Sequence, residues 1–596
     1  MAASDGRARL RATVTAFRDS DGSDRVRLAV LTVVVAAFGA RFFRLGARTA
    51  HFDEGRVAYW VVDYAATGDF RYRPMIHGPF FQHVNEVVFG VLGPTDFAMR
   101  AAVAAVTALF PLVALLLRDR LRDVEVVALA ALWAFTPVFL YYSRFMRGDP
   151  LVAVFMVTAF ALFVRTVDTG RRRYFYAGVG FVALGFTVKE NALLYLLCWV
   201  GGAVLLLDHR LLRAADRGGN WTAVARSHGR RAIGIGWRHV DALVLGTLGF
   251  LAVVAFFYAP RGQTTLGPGL GTALRDPALL PAVLREATAG SAEALWGTWV
   301  GGAHQRHPYL PYLAHFVATL RHGALAVCVL AVVGFVADRY RPDGPSDLVS
   351  IAFYWGAVSV LGYPIATDIK APWAAIHAAV PLAIPAAVGL GLFVRWGREA
   401  RADGDRVSTG LAVLIVLIIT AQVAVASVGS VYRTDHTEDN ELVQYAQPAP
   451  DVQPVMRQLD AAASDHEGTD VVLYGDYFVQ APGSSGPRRP ACASWQQVLP
   501  LPWYFERADA TATCVDSADA LARTVERERP PLVVARPVDE SRVSGALSDY
   551  EARTALLRDR DTLTHFFVRE DLANTTSGGE RPPRSSQTDT LIPPGG

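Results

Sequence analysis

Apolar runs of about 20 residues, the length of a membrane-crossing helix, recur from residue 28 to about residue 429 and then stop. No other feature of the chain limits its fold so strongly. At 52% hydrophobic and 19% charged over 596 residues, the chain is too apolar for a soluble interior to hide, so lipid must cover the surplus. The expected spans are 28–45, 97–117, 124–142, 150–167, 174–188, 191–207, 241–258, 313–337, 348–363, 374–395 and 409–429, about eleven helices. The fold class expected is a polytopic α-helical membrane protein followed by a small soluble α/β domain.

Charge gives this arrangement a direction. Arg7, Arg9, Arg11, Arg18, Arg25 and Arg27 precede the first run, and such clusters stay on the cytoplasmic side. No small-residue cleavage site follows, so the first run reads as an anchor and not a signal peptide. The Arg-bearing connections 118–123, 168–174, 208–240, 337–347 and 395–406 then also face the cytoplasm. The long loops Gly46–Asp96 and Ala259–Tyr312, the turns at Tyr141–Pro150 and Lys189, and Pro364–Trp373 face outward. An odd number of spans places residues 430–596 outside as well. Of the two sequons, Asn220-Trp-Thr would lie inside and Asn574-Thr-Thr outside, so only the second is expected to be usable.

The domain limits follow: a basic cytoplasmic N-terminus at 1–27, a transmembrane domain at 28–429, an extracytoplasmic domain at 430–574 and a tail at 575–596. The tail is Ser/Gly/Pro-rich, cannot offset its ordering entropy and is expected to be disordered. Within 451–570, strand-like runs (Val471–Tyr474, Leu532–Ala535, His565–Val568) alternate with helix-like ones (Val452–Ala463, Ala518–Arg527). Leu499-Pro-Leu-Pro-Trp-Tyr-Phe505 is an aromatic loop candidate that either packs on this domain or touches the headgroup layer, with packing favoured. Cys198 and Cys328 sit in apolar runs, whereas Cys492 and Cys514 can pair.

Candidate chemistry gathers in the expected outer segments. The first loop opens with His51-Phe-Asp53-Glu54-Gly-Arg56-Val-Ala-Tyr59, and carboxylates at a membrane boundary need a reason. Asp53 either caps the helix that follows or takes part in a reaction. The loop ends at His77-Gly-Pro-Phe, a turn before an apolar helix. Arg144, Arg147 and Asp149 share the turn 141–150, against the general preference of arginine for the inside. The chain has only two lysines, Lys189 and Lys370, both at expected outer helix ends and Lys189 beside Glu190. The bland reading of such lysines is snorkelling. His307 and Tyr309 enter a helix after the second loop, as an interfacial belt or as the lining of a lipid-carrier groove. Carboxylates that accept a proton, set beside cations that bind phosphate, would suit a phosphate-linked lipid.

With these residues in view, the chain resembles the GT-C membrane glycosyltransferases of the protein O-mannosyltransferase and aminoarabinose-transferase group, closest to the archaeal flippase-activity-associated branch. The resemblance rests on Asp53-Glu54 with Arg56 and Tyr59, His77-Gly-Pro-Phe, Arg147-Gly-Asp149-Pro150 and Gly185-Phe-Thr-Val-Lys189-Glu190, and spans residues 28–395. It implies sugar transfer from a polyprenyl-phosphate donor on the non-cytoplasmic face to a glycan, lipid or protein acceptor, with membrane lipid and no nucleic acid as partners. It also implies Asp53 as general base with Glu54 beside it. Arg56, Tyr59, His77, Arg144, Arg147, Asp149, Lys189, Glu190, His307, Tyr309 and Lys370 are the candidates for binding phosphate or substrate.

No cofactor is required by this pattern, although Glu54 and Asp149 are suitable ligands for a divalent cation. His77 departs from the family, because the aminoarabinose-transferase relatives carry lysine at that place. The C-terminal part has no Trp-Trp-Asp motif of the oligosaccharyltransferase kind. The competing expectation is a non-enzymatic accessory protein or flippase component that binds polyprenyl-phosphate glycans in the same cationic groove.

Overall fold

The computed structural model describes residues 24–74, 78–216, 221–264, 267–300, 308–342, 344–367, 369–434, 436, 439–480, 488–558 and 562–573. His77, His304, His307, Asp368, both sequon asparagines, the tail from Thr575 and the arginines before residue 24 lie outside the described residues.

Every apolar run is helical. Among the described residues, eight helices have the length and hydropathy of a membrane span, in place of the eleven expected: Asp96–Leu117, Gly148–Thr169, Ala192–Leu212, Val240–Tyr258, Tyr309–Arg339, Asp347–Ala366, Pro372–Ala402 and Arg406–Arg433. The other three runs fall short for local reasons. The helix over 24–42 carries Arg25, Arg27 and Arg41. The run at 124–142 divides into Asp123–Phe135 and Pro137–Tyr142, because Thr136, preceding a proline, is pushed out of the helical region to ψ 123°. Arg172–Val188 has 17 residues. The chain is a multi-pass membrane protein.

The chain divides into two compact units, one of Met1–Arg48 with Val57–Tyr445 and the other of Thr49–Arg56 with Ala446–Gly596. In the first, Pro372–Ala402 is central, with 83% of its apolar window buried, whereas Arg406–Arg433 is peripheral at 11%. Centrality requires close approach. A side chain at Gly334 would lie 1.9 Å from the Pro385 carbonyl, and one at Gly389 would lie 2.4 Å from that of Leu330. Two helices therefore touch backbone to backbone through small residues, as membrane helices commonly do.

The second unit holds a five-stranded sheet in the order Ala512–Val515, Val471–Tyr474, Leu532–Ala535, Leu563–Arg569, Tyr550–Leu556. The first three strands are parallel, with Val471 opposite both Ala512 and Leu532, and the last two pair antiparallel. The three inner strands are the ones expected from the sequence. The two outer strands were not expected, because edge strands that stay partly exposed carry no continuous apolar run. Leu501–Arg507 is a helix whose Trp503 and Tyr504 are fully buried, so this segment packs and the headgroup alternative falls away. Cys492 and Cys514 form a disulfide. Thr49–Arg56 belongs to this unit: the Ala50 N–H donates to the Tyr504 hydroxyl at 2.8 Å, and a side chain on Gly55 would strike Pro500 at 2.4 Å.

Candidate functional site

Three helix ends meet around one buried carboxylate in the transmembrane unit. Asp149 lies in the first turn of Gly148–Thr169, where the positive end of the helix dipole favours its charge. Its side chain is 1% exposed. It accepts from Lys189 Nζ at 2.9 and 3.2 Å, from His377 Nε2 at 3.1 Å and from Arg147 Nε at 3.2 Å. A buried carboxylate needs such partners, since the charge is otherwise costly to desolvate.

The surrounding groups hold these cations in place. Lys189 ends the helix Arg172–Val188 in an extended conformation, which aims its side chain back at Asp149 and leaves it 21% exposed. The Arg147 guanidinium stacks 3.5 Å above the Trp373 ring and also donates to Gln444. The Tyr195 hydroxyl lies 2.6 Å from His377 Nδ1, and the Tyr363 ring stacks on the imidazole at 4.6 Å. With Tyr195 donating to Nδ1, the Nε2–H is left for Asp149. One carboxylate thus organises two permanent cations, and the surplus positive charge reaches solvent through Lys189.

Glu190 turns away from its neighbour Lys189. Its carboxylate accepts from the Tyr72 hydroxyl and, at 3.2 Å, from Tyr258, whose hydroxyl also lies 2.9 Å from the Phe186 carbonyl. Burial pushes the Glu190 carboxyl above its ordinary range, against the lowering effect of the tyrosine hydrogen bonds. The segment just before Lys189 is clamped from another side. The Gly78 N–H donates to the Val188 carbonyl at 2.8 Å, and a side chain at Gly78 would meet Thr187 O at 2.2 Å. The turn after His77 therefore requires glycine and packs beside Lys189.

The remaining expected residues spread out. Arg144 differs from Arg147: its guanidinium donates to the carbonyls of Ala40, Arg41 and Phe43 at 3.0, 2.7 and 2.8 Å. It thereby satisfies carbonyls at the open end of the 24–42 helix. Tyr59 is buried against Trp60. The Tyr309 hydroxyl donates to the Leu361 carbonyl at 3.1 Å, and Lys370 is exposed.

Asp53 and Glu54 belong to the second unit, in the first turn of the helix Phe52–Thr67. The expectation that Asp53 caps this helix is corrected. His51 Nδ1 accepts the Asp53 N–H at 3.0 Å, and the buried Glu54 carboxylate reaches back to the His51 N–H at 3.0 Å, half of a capping box. The Asp53 carboxylate lies 3.9 Å from His51 Nδ1 and is 14% exposed.

Sequence reading missed His377, Tyr195, Trp373 and Gln444. A usable signal existed for His377, an ionisable residue inside an apolar run. Among the described residues no group of three or more His, Cys, Asp or Glu side chains is placed to hold a metal ion. Asp149, one of the expected ligands, is already bound by cations.

Residues 76–223, which contain Arg147, Asp149 and Lys189, match the family described as dolichyl-phosphate-mannose-protein mannosyltransferase. The ArnT structure from Cupriavidus metallidurans bound to undecaprenyl phosphate superposes with a TM-score of 0.52 at 14% identity, covering 92% of this chain and 99% of that one. Its apo form gives 0.52 at 16% identity, covering 91% and 98%. The chain has the GT-C membrane glycosyltransferase fold. Residues 452–570 match a second family, described as the Agl23 flippase-associated protein C-terminal domain. No curated protein sequence matches the chain.

Proposed function

We propose that this membrane glycosyltransferase transfers a sugar from a polyprenyl-phosphate donor, on the non-cytoplasmic face, to a hydroxyl of a glycan, lipid or protein. The observation that carries this reading is the buried Asp149 holding Lys189 and Arg147 at the meeting of three helix ends, with Lys189 21% exposed. The acceptor oxygen attacks the anomeric carbon and passes its proton to the Asp53 carboxylate. The bond from sugar to lipid phosphate breaks with its electron pair on phosphate, and Lys189 meets that charge with Arg147 behind it. Asp149 fixes both cations. Undecaprenyl phosphate in the ArnT structure is the chemical precedent for the donor's lipid.

The orientation belongs to the same proposal: N-terminus in the cytoplasm, transmembrane domain at 28–429 and the domain at 430–574 outside. The Cys492–Cys514 disulfide favours this, since such bonds persist in oxidising compartments. Protease added to intact cells should cleave within 446–573 and spare the N-terminus.

The test is the surface-glycan profile of cells carrying Asp53→Asn or Lys189→Ala, beside wild type and a full deletion. Both variants should reproduce the deletion, with in vitro transfer down about 10²–10³-fold or more for Lys189→Ala. The match of residues 452–570 to a flippase-associated domain favours a second reading, an accessory that binds polyprenyl-phosphate glycans. It would tolerate Asp53→Asn and fail only with Lys189→Ala.

A further inference from the structure

The second long loop does not stand free of the transmembrane unit. Phe70 and Arg261 exchange backbone hydrogen bonds of 3.3 and 3.0 Å, which pin the first long loop to the end of the helix Val240–Tyr258. Short helices at Leu270–Arg275 and Leu280–Arg285 fold back and seal an apolar cluster of Tyr258, Ala259, Ala273, Val283 and Ala287, with Tyr72 packed on it. The chain then makes a wide π-helical turn at Glu286–Gly290, a form frequent at functional sites.

A cavity of about 290 Å³ opens beside this turn, lined by Arg71, Arg285, Glu286 and Glu293 among others. Its volume falls near the lower end of the roughly 300–1,000 Å³ of small-molecule sites. A narrow extension shares Arg71, Glu286 and Gly290 with it and ends at Tyr72 and Tyr258, whose rings are 4.7 Å apart. Beyond those rings their hydroxyls bind Glu190, the neighbour of Lys189.

We propose that this cleft is a saccharide subsite of the transfer reaction, an inference that rests on the glycosyltransferase reading above. A sugar ring offers hydroxyls at its rim and C–H bonds on its faces. The cleft answers with two arginines and two glutamates, a formally neutral set suited to hydroxyls more than to a phosphate, and with Pro260, Pro268 and Ala282 for the apolar face. Arg71 and Glu286, 3.3 Å apart, supply donor and acceptor side by side. Gly290 keeps the wall open, since a side chain there would lie 2.8 Å from the Glu286 carboxylate. The sugar is either that of the donor or that of a glycan acceptor, and the ligand chemistry is the same.

The experiment is saturation-transfer NMR on the purified full-length protein in detergent, with methyl α-D-mannopyranoside, methyl α-D-glucopyranoside and methyl β-D-galactopyranoside as probes. At least one glycoside should draw saturation from wild type. Glu286→Ala should weaken that binding about tenfold, the worth of one hydrogen bond to a charged group. Gly290→Leu, which fills the cleft without removing a charge, should do the same. No saturation in wild type, or equal saturation in wild type and both cleft variants, would overturn the proposal.

A transfer assay with the same variants then separates the sources. A rise in KM for donor alone assigns the donor sugar, a rise for acceptor alone assigns an acceptor glycan, and unchanged KM for both removes the cleft from the reaction. Ring binding by a wild-type protein that transfers no sugar would sink the glycosyltransferase reading and leave the cleft as a binding site.

Discussion

Lys189 and Glu190 are adjacent in the chain and serve opposite electrostatic designs. Lys189 joins Asp149, whose carboxylate is surrounded by an ammonium, a guanidinium and an imidazole. Glu190 joins two phenols and lies in a mainly apolar setting. Around Asp149 the cations compensate the charge and the geometry is locked. Around Glu190 neutral hydroxyls share the charge, and burial favours the protonated form. The first arrangement is a rigid counter-ion for a cation that meets phosphate. The second is a polar wall whose charge depends on pH.

Asp149→Ala breaks this contrast most severely. Removing one partner of a buried ion pair costs about 3–5 kcal/mol, so the thermal midpoint of the purified protein should fall sharply and transfer should vanish. A wild-type midpoint would mean that the cluster is not a structural ion pair. His377→Leu sharpens the same side. It removes one donor to Asp149 and strands the Tyr195 hydroxyl, at a cost of about 1–3 kcal/mol, read as a smaller loss of midpoint with Lys189 still in place.

Glu190→Gln probes the other side through pH. The folded-state value of Glu190 lies above its unfolded one, so wild-type stability is fully present below the ordinary glutamate value of about 4.3. It declines as pH rises from there through the raised value, because the unfolded chain releases the proton first. The glutamine variant should lack that decline. Unfolding midpoints across this range check it, and parallel curves for the two proteins would refute it. Tyr72→Phe should have the smallest effect, about 1 kcal/mol for one lost hydrogen bond, seen as a slight drop in midpoint with Tyr258 still bonded to Glu190.

Legibility in the sequence followed the range of the interaction. Apolar runs were read as helices because a run of apolar residues is a local property. The three inner strands of the second unit were legible for the same reason, and the two edge strands were not. Arg144 and Arg147 looked equivalent as neighbours in one turn. Only the fold separates them, sending Arg144 to the carbonyls of residues 40–43 and Arg147 to Asp149. Likewise, the adjacent carboxylates Asp53 and Glu54 share a first helical turn, and only the fold shows Glu54 reaching back to the His51 N–H.

By itself the sequence determined that this is a multi-pass helical membrane protein with a small α/β end, and that lysine occurs only at positions 189 and 370. The length of an apolar run and the rarity of lysine are visible without folding. Tertiary structure alone decided that Asp149 meets His377 across 228 positions and Lys189 across 40. Burial strips each of these charges of water, and the partner that replaces the water comes from whichever helix end packs beside it.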